Sequence, residues 1–80
     1  MSWSIEWSVP AIAALRAVHW KQAARIDRAV QRFAAWGEGD RFRFASDEPL
    51  TFRLRVHPHV VRMSLDKGPK IVRVWYIYRE

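Results

Sequence analysis

Eighty residues, half of them hydrophobic, with five tryptophans and no cysteine, argue against disorder and for one small domain (1–80) on a single unstapled core. Fourteen Lys and Arg, eleven of them Arg, outnumber eight Asp and Glu to give a net charge of +6, which points to an anionic partner gripped by arginine forks, either nucleic acid or an acidic protein segment. No stretch has the length of a membrane span and the start lacks the basic flank and apolar run of a secretory signal, so a cytoplasmic location without membrane contact is expected.

Residues 3 to 7 alternate apolar and polar, predicting a first strand with Trp3, Ile5 and Trp7 inward. Ser8 reads as a helix cap. Pro10 falls in the first turn of a short helix from Ala11 to Val18, with Ala11, Ala14, Leu15 and Val18 forming its inner stripe. After a break at His19-Trp20, a second helix is predicted from Lys21 to Trp36. Ala23, Ile26, Val30, Phe33 and Ala34 form its buried side, and Arg25, Arg28, Gln31 and Arg32 its outer side. Gly37 ends it. A short extended piece at Arg41 to Phe44 precedes a turn at Ser46-Asp47-Glu48-Pro49.

Three strands follow, Thr51–His57, Val60–Asp66 and Lys70–Tyr78, joined by turns at His57-Pro58-His59 and Asp66-Lys67-Gly68-Pro69. Connections this short predict an antiparallel meander. The fold class is therefore α+β: two N-terminal helices on one face of a small, mainly antiparallel sheet, in the order β-α-α-β-β-β. Alternation predicts what the other face carries. Arg53, Arg55 and His57 share one side of the first strand, and Arg62, Ser64 and Asp66 one side of the second. In the third, Arg73, Trp75, Ile77 and Arg79 share a side, opposite Val72, Val74, Tyr76 and Tyr78. A cationic open face results, with Trp75 among arginines, a composition suited to phosphates and bases. There is no zinc spacing and no phosphate-loop glycine pattern, so no metal or cofactor is expected.

The order of elements, Ile5-Glu6-Trp7-Ser8 at the start, Arg53-Leu54-Arg55-Val56 opening the meander, Arg62 in the next strand and Val74-Trp75-Tyr76-Ile77-Tyr78-Arg79-Glu80 at the end resemble the RelE/ParE toxin superfamily over almost the whole chain. The resemblance implies the toxin half of a bacterial type II toxin-antitoxin pair, silenced in a hetero-oligomer by a cognate acidic antitoxin. It also implies one of two targets: ribosome-bound messenger RNA, cut by an endoribonuclease (mRNA interferase) that stops translation, or DNA gyrase. Carried over by position, Arg62 holds the scissile phosphate and Arg79 stabilises the charge of the transition state. Val61 replaces a family tyrosine, and Arg53 and Arg55 stand where RelE-like toxins carry lysines. A family tyrosine beyond the last strand has no counterpart in this sequence.

Arginine stays protonated, so Arg53 and Arg55 keep an electrostatic role, with Arg73 and Trp75 as further nucleic-acid contacts, but cannot act as bases. The candidate proton carriers are then His57 and His59, which flank Pro58, followed by Tyr78 and Glu80. Parity assigns Tyr78 to the core. Three functions remain open: mRNA endonuclease, gyrase poison, and a silent module that only binds its antitoxin.

Overall fold

The computed structural model describes residues 3–80. Strand β1 (Ser4–Trp7) leads into helices α1 (Val9–Ala17) and α2 (Trp20–Trp36), then strands β2 (Arg41–Phe42), β3 (Thr51–Val56), β4 (His59–Asp66) and β5 (Ile71–Arg79). Each helix starts on a side-chain cap. Ser8 accepts from the amide of Ala11 at 3.1 Å with Pro10 in the first turn, and His19 Nδ1 accepts from the amide of Lys21. Helix α2 ends where Gly37 takes the left-handed conformation, φ 69°, and returns its amide to the carbonyl of Phe33, a geometry glycine adopts without steric penalty.

The five strands lie in the order β1-β5-β4-β3-β2. The meander β3-β4-β5 is antiparallel, as its short turns require, while β1 pairs parallel with β5, a pairing across the whole chain length that the local pattern did not specify. Both helices pack on one face. Ile26, Val30, Phe33 and Ala34 of α2 and Ala11 of α1 meet Leu54, Val56, Val61, Met63, Val72, Val74 and Ile77, with Trp3, Ile5 and Trp7 packed around them. The α+β layer read from the sequence is thus the observed architecture.

One irregularity decides what the other face carries. Arg62 pairs with Tyr76 but Met63 pairs with Val74, so Trp75 is an extra residue in β5. A bulge inverts the alternation beyond it. Ile77 turns to the core at 9% exposure, while Tyr76 and Tyr78 are exposed. The expectation that Ile77 and Arg79 share a side with Arg73, opposite the two tyrosines, is therefore corrected. Ser8 secures the bulge, donating its hydroxyl to the carbonyl of Trp75 at 2.6 Å and its amide to that of Val74.

Candidate functional site

Arg53, Arg55, Arg62 and Arg73 do project from the sheet face away from the helices, since their ladder partners alternate with the core residues. Three of them are held within the molecule. Arg53 forks onto Asp47 through Nε and Nη2, at 3.2 and 3.1 Å, and gives a third bond to the hydroxyl of Tyr78 at 2.8 Å. The side chains of this pair are 15% and 5% exposed. Arg55 Nε bonds Glu80 at 3.1 Å and the guanidinium lies 3.7 Å from Asp40. Arg73 meets Asp66 at 2.7 Å and Glu6 at 3.5 Å. The rings of Phe44 and Phe42 cover Arg53 and Arg55, with centroids 4.5 and 4.4 Å from the guanidinium carbons.

These contacts show in the ionisation of the groups. The Arg53 guanidinium and the Phe44 amide hold the Asp47 carboxyl below its ordinary value. Arg53, Arg55 and Arg73 hold their protons more firmly than free arginine, each chiefly through its carboxylate hydrogen bond. Three guanidinium groups on this face, those of Arg53, Arg55 and Arg73, meet five carboxylates: Glu6, Asp40, Asp47, Asp66 and Glu80. The expected cationic face is therefore electrically balanced, because acidic residues from the strands, the loops and the last position fold onto it.

Arg62 is the exception. It makes no ion pair or hydrogen bond among the described residues, and Asp47 feels its charge only at longer range. It lines a cleft of about 330 Å³ together with Glu48, Thr51, Ser64, Trp75 and Tyr76. Trp75 is oriented there by the hydrogen bond from its Nε1 to Ser64 Oγ at 2.7 Å, and Trp75 and Tyr76 are 42% and 50% exposed. A free guanidinium, two accessible aromatic rings and a carboxylate thus share one hollow. Trp75 lies where alternation expected it. Tyr76 and Glu48 were missed, Tyr76 because the bulge moves it and Glu48 because it belongs to a turn.

Arg79 is elsewhere. It pairs across the ladder with His59, which pairs with Val56 of the core side. Arg79 and His59 therefore sit on the helix-covered face, beside α2. There Gln22 Nε2 donates to the carbonyls of Val56 and His57 and meets His59 Nδ1 at 3.2 Å. Burial, then the Arg79 charge, lowers the His59 pKa below its ordinary value. His57 is exposed in the two-residue turn with Pro58, whose peptide bond is cis. The structure thus groups Arg79, His57 and His59 around one hairpin end, and puts Arg62 on the opposite face. A shared Arg62–Arg79 clamp on one phosphate does not form, and Tyr78, expected in the core, reaches the open face instead. No cluster of three or more metal-ligating side chains occurs among the described residues.

Neither a protein-family model nor a curated protein matches the chain in sequence. Solved structures match it in fold. A chain of the toxin-antitoxin complex RelBE2 from Mycobacterium tuberculosis superposes with a TM-score of 0.83 at 11% identity, over 100% of both chains. A chain of the archaeal RelE-RelB complex from Pyrococcus horikoshii OT3 gives 0.82 at 13% identity, covering 99% of this chain and 96% of that one. One from the RelB-RelE antitoxin-toxin complex of Methanococcus jannaschii gives 0.72 at 12%, covering 91% and 87%. The chain has the RelE-like α+β fold that its element order and placed arginines suggested.

Proposed function

We propose that the protein is the toxin of a type II toxin-antitoxin pair and that its open face acts on messenger RNA at the ribosome. The observation that carries this reading is the cleft of Arg62, Trp75, Tyr76 and Glu48 on a fold shared along its length with chains of toxin-antitoxin complexes. Arg62 would fork the non-bridging oxygens of the scissile phosphate, and Trp75 and Tyr76 would stack on the flanking bases. Attack by the 2′-hydroxyl needs a proton acceptor. Within the cleft that group is Glu48, whereas His57 and His59 stand at the hairpin end on the other side. Apart from the hydroxyl of Tyr76, no cleft-lining side chain is an evident acid for the leaving 5′-oxygen. A requirement for the ribosome-bound substrate follows naturally, since its surroundings would complete the proton transfers. The partner that silences the protein would be an acidic antitoxin.

A second reading, a silent antitoxin-binding module, draws on the neutralised arginines and on the separation of Arg62 from Arg79. The test is induction of the chain alone in cells, with transcript ends and DNA-damage response followed together. Codon-phased cuts are expected, and Arg62→Ala should slow cleavage on purified ribosomes by about 10²- to 10³-fold, the usual cost of losing a charge-stabilising donor. An SOS response without cuts would indicate gyrase instead. Neither cuts nor damage would leave the binding module.

A further inference from the structure

If the cleft side is electrically balanced, the surplus charge must lie elsewhere, and α2, with four cations against Asp27, carries half of the net +6. Lys21, Arg25, Arg28 and Arg32 recur at i, i+4, i+7 and i+11, within about 60° of arc and along about 16 Å of axis. All four are exposed, and they stand opposite the buried Ile26, Val30 and Phe33. Among the described residues only Arg32 of the four meets a carboxylate, Glu38 at 2.7 Å; Arg25 donates to the side-chain oxygen of Gln22. Asp27, the one acidic residue of the helix, lies well over 90° around the cylinder from the ridge.

The fold gains little from this pattern, since the contacts of Arg25, Arg32 and Lys21, the last over the exposed Trp20 ring at 5.5 Å, all lie at the surface. Like charges three and four apart repel on a helix surface. Lys21 stands in the first turn, where the positive end of the helix disfavours a cation and where no acidic residue compensates. Gln22 pins that turn to the β3–β4 hairpin, where Arg79, with no carboxylate partner among the described residues, adds a further positive charge. The apolar stripe of α2 is spent on the core, and its two exposed tryptophans, Trp20 and Trp36, stand at opposite ends of the helix, so no continuous apolar row remains to enter a lipid surface.

We infer that the α2 ridge, Lys21-Arg25-Arg28 with Arg79 at its N-terminal end, docks on the phosphate backbone of folded RNA. The inference rests on the RNA target proposed above and gives that target a second contact, on the face opposite the cleft. The ridge is a straight row of point charges and guanidinium groups. It would read the spacing of phosphates along a duplex and not the bases.

The experiment is fluorescence anisotropy of a labelled RNA duplex of about 20 base pairs, titrated with the purified full chain over a range of salt. Lys21→Gln/Arg25→Gln/Arg28→Gln should weaken binding at least tenfold and make the plot of log affinity against log salt shallower by about two to three. Lys67→Gln, at an exposed turn cation away from both the ridge and the cleft, should leave both unchanged, Arg62→Ala should cost clearly less than the triple variant, and circular dichroism should show the triple variant folded. Unaltered affinity and slope in the triple variant overturn the inference. So does an equal loss with Arg62→Ala, which would locate binding in the cleft, or tighter binding of a glutamate-rich peptide that displaces the duplex, which would make the ridge an acidic-protein site. If transcripts stay uncut in cells while the ridge still binds duplex, it is the cleavage reading that fails.

Discussion

At His59 the neutral ring is selected twice. The amide nitrogen of Gln22 cannot accept a proton, so its 3.2 Å contact with Nδ1 is met by sharing one of the two protons it gives to the carbonyls of Val56 and His57, which favours the ring proton on Nε2. Burial and the Arg79 charge then oppose a second proton. Below pH 6.5, the ordinary value for histidine, the unfolded chain takes up a proton that the folded ring resists. Stability contributed by the neutral ring is therefore present above that pH and declines as pH falls toward the lowered folded-state value. Melting temperatures measured from pH 8 down to pH 5 should fall in that window, and His59→Asn should flatten the slope. The residue identity was legible as chemistry, but its side of the sheet was not, because a turn residue in the sequence proves to be the first residue of β4.

Among the elements, α2 could be read almost to the residue, since a 3.6-residue period and a terminal glycine are local signals. The second half of β5 could not. Trp75, Tyr76, Ile77 and Tyr78 offer large apolar side chains on both parities, so either alternation buries apolar surface. The choice is made by Ser8, which holds the Trp75 carbonyl, and by the tyrosine hydroxyls, one of which receives a bond from Arg53. Two measurements test this account. Ser8→Ala removes both the α1 cap and the donor to the bulge and should cost about 1–2 kcal/mol in chemical denaturation. Ile77→Ala should cost about 2–5 kcal/mol, while Tyr76→Ala stays within about 0.5 kcal/mol of the parent, as for an exposed side chain. The reverse ranking would restore the uninterrupted alternation.

For the molecule as a whole, composition reports how much charge there is and not where it resides. Alternation correctly put four arginines and Asp66 on the open face, yet the other acids that neutralise them come from β1, the loops around β2 and the chain's last residue. Such pairings arise only on folding. The larger part of the excess, a net of four positive charges on the two helices out of the total of six, therefore lies on the far side of the sheet from the Arg62 cleft. This lopsidedness gives the protein a permanent electric moment across its thickness. In the field of a polyanion it would rotate until α2 leads, with the aromatic hollow trailing. A strand that reaches the hollow must then approach from a different direction than the one that first attracts the protein, so a folded anion with strands on two sides satisfies both faces where a single extended strand would satisfy one.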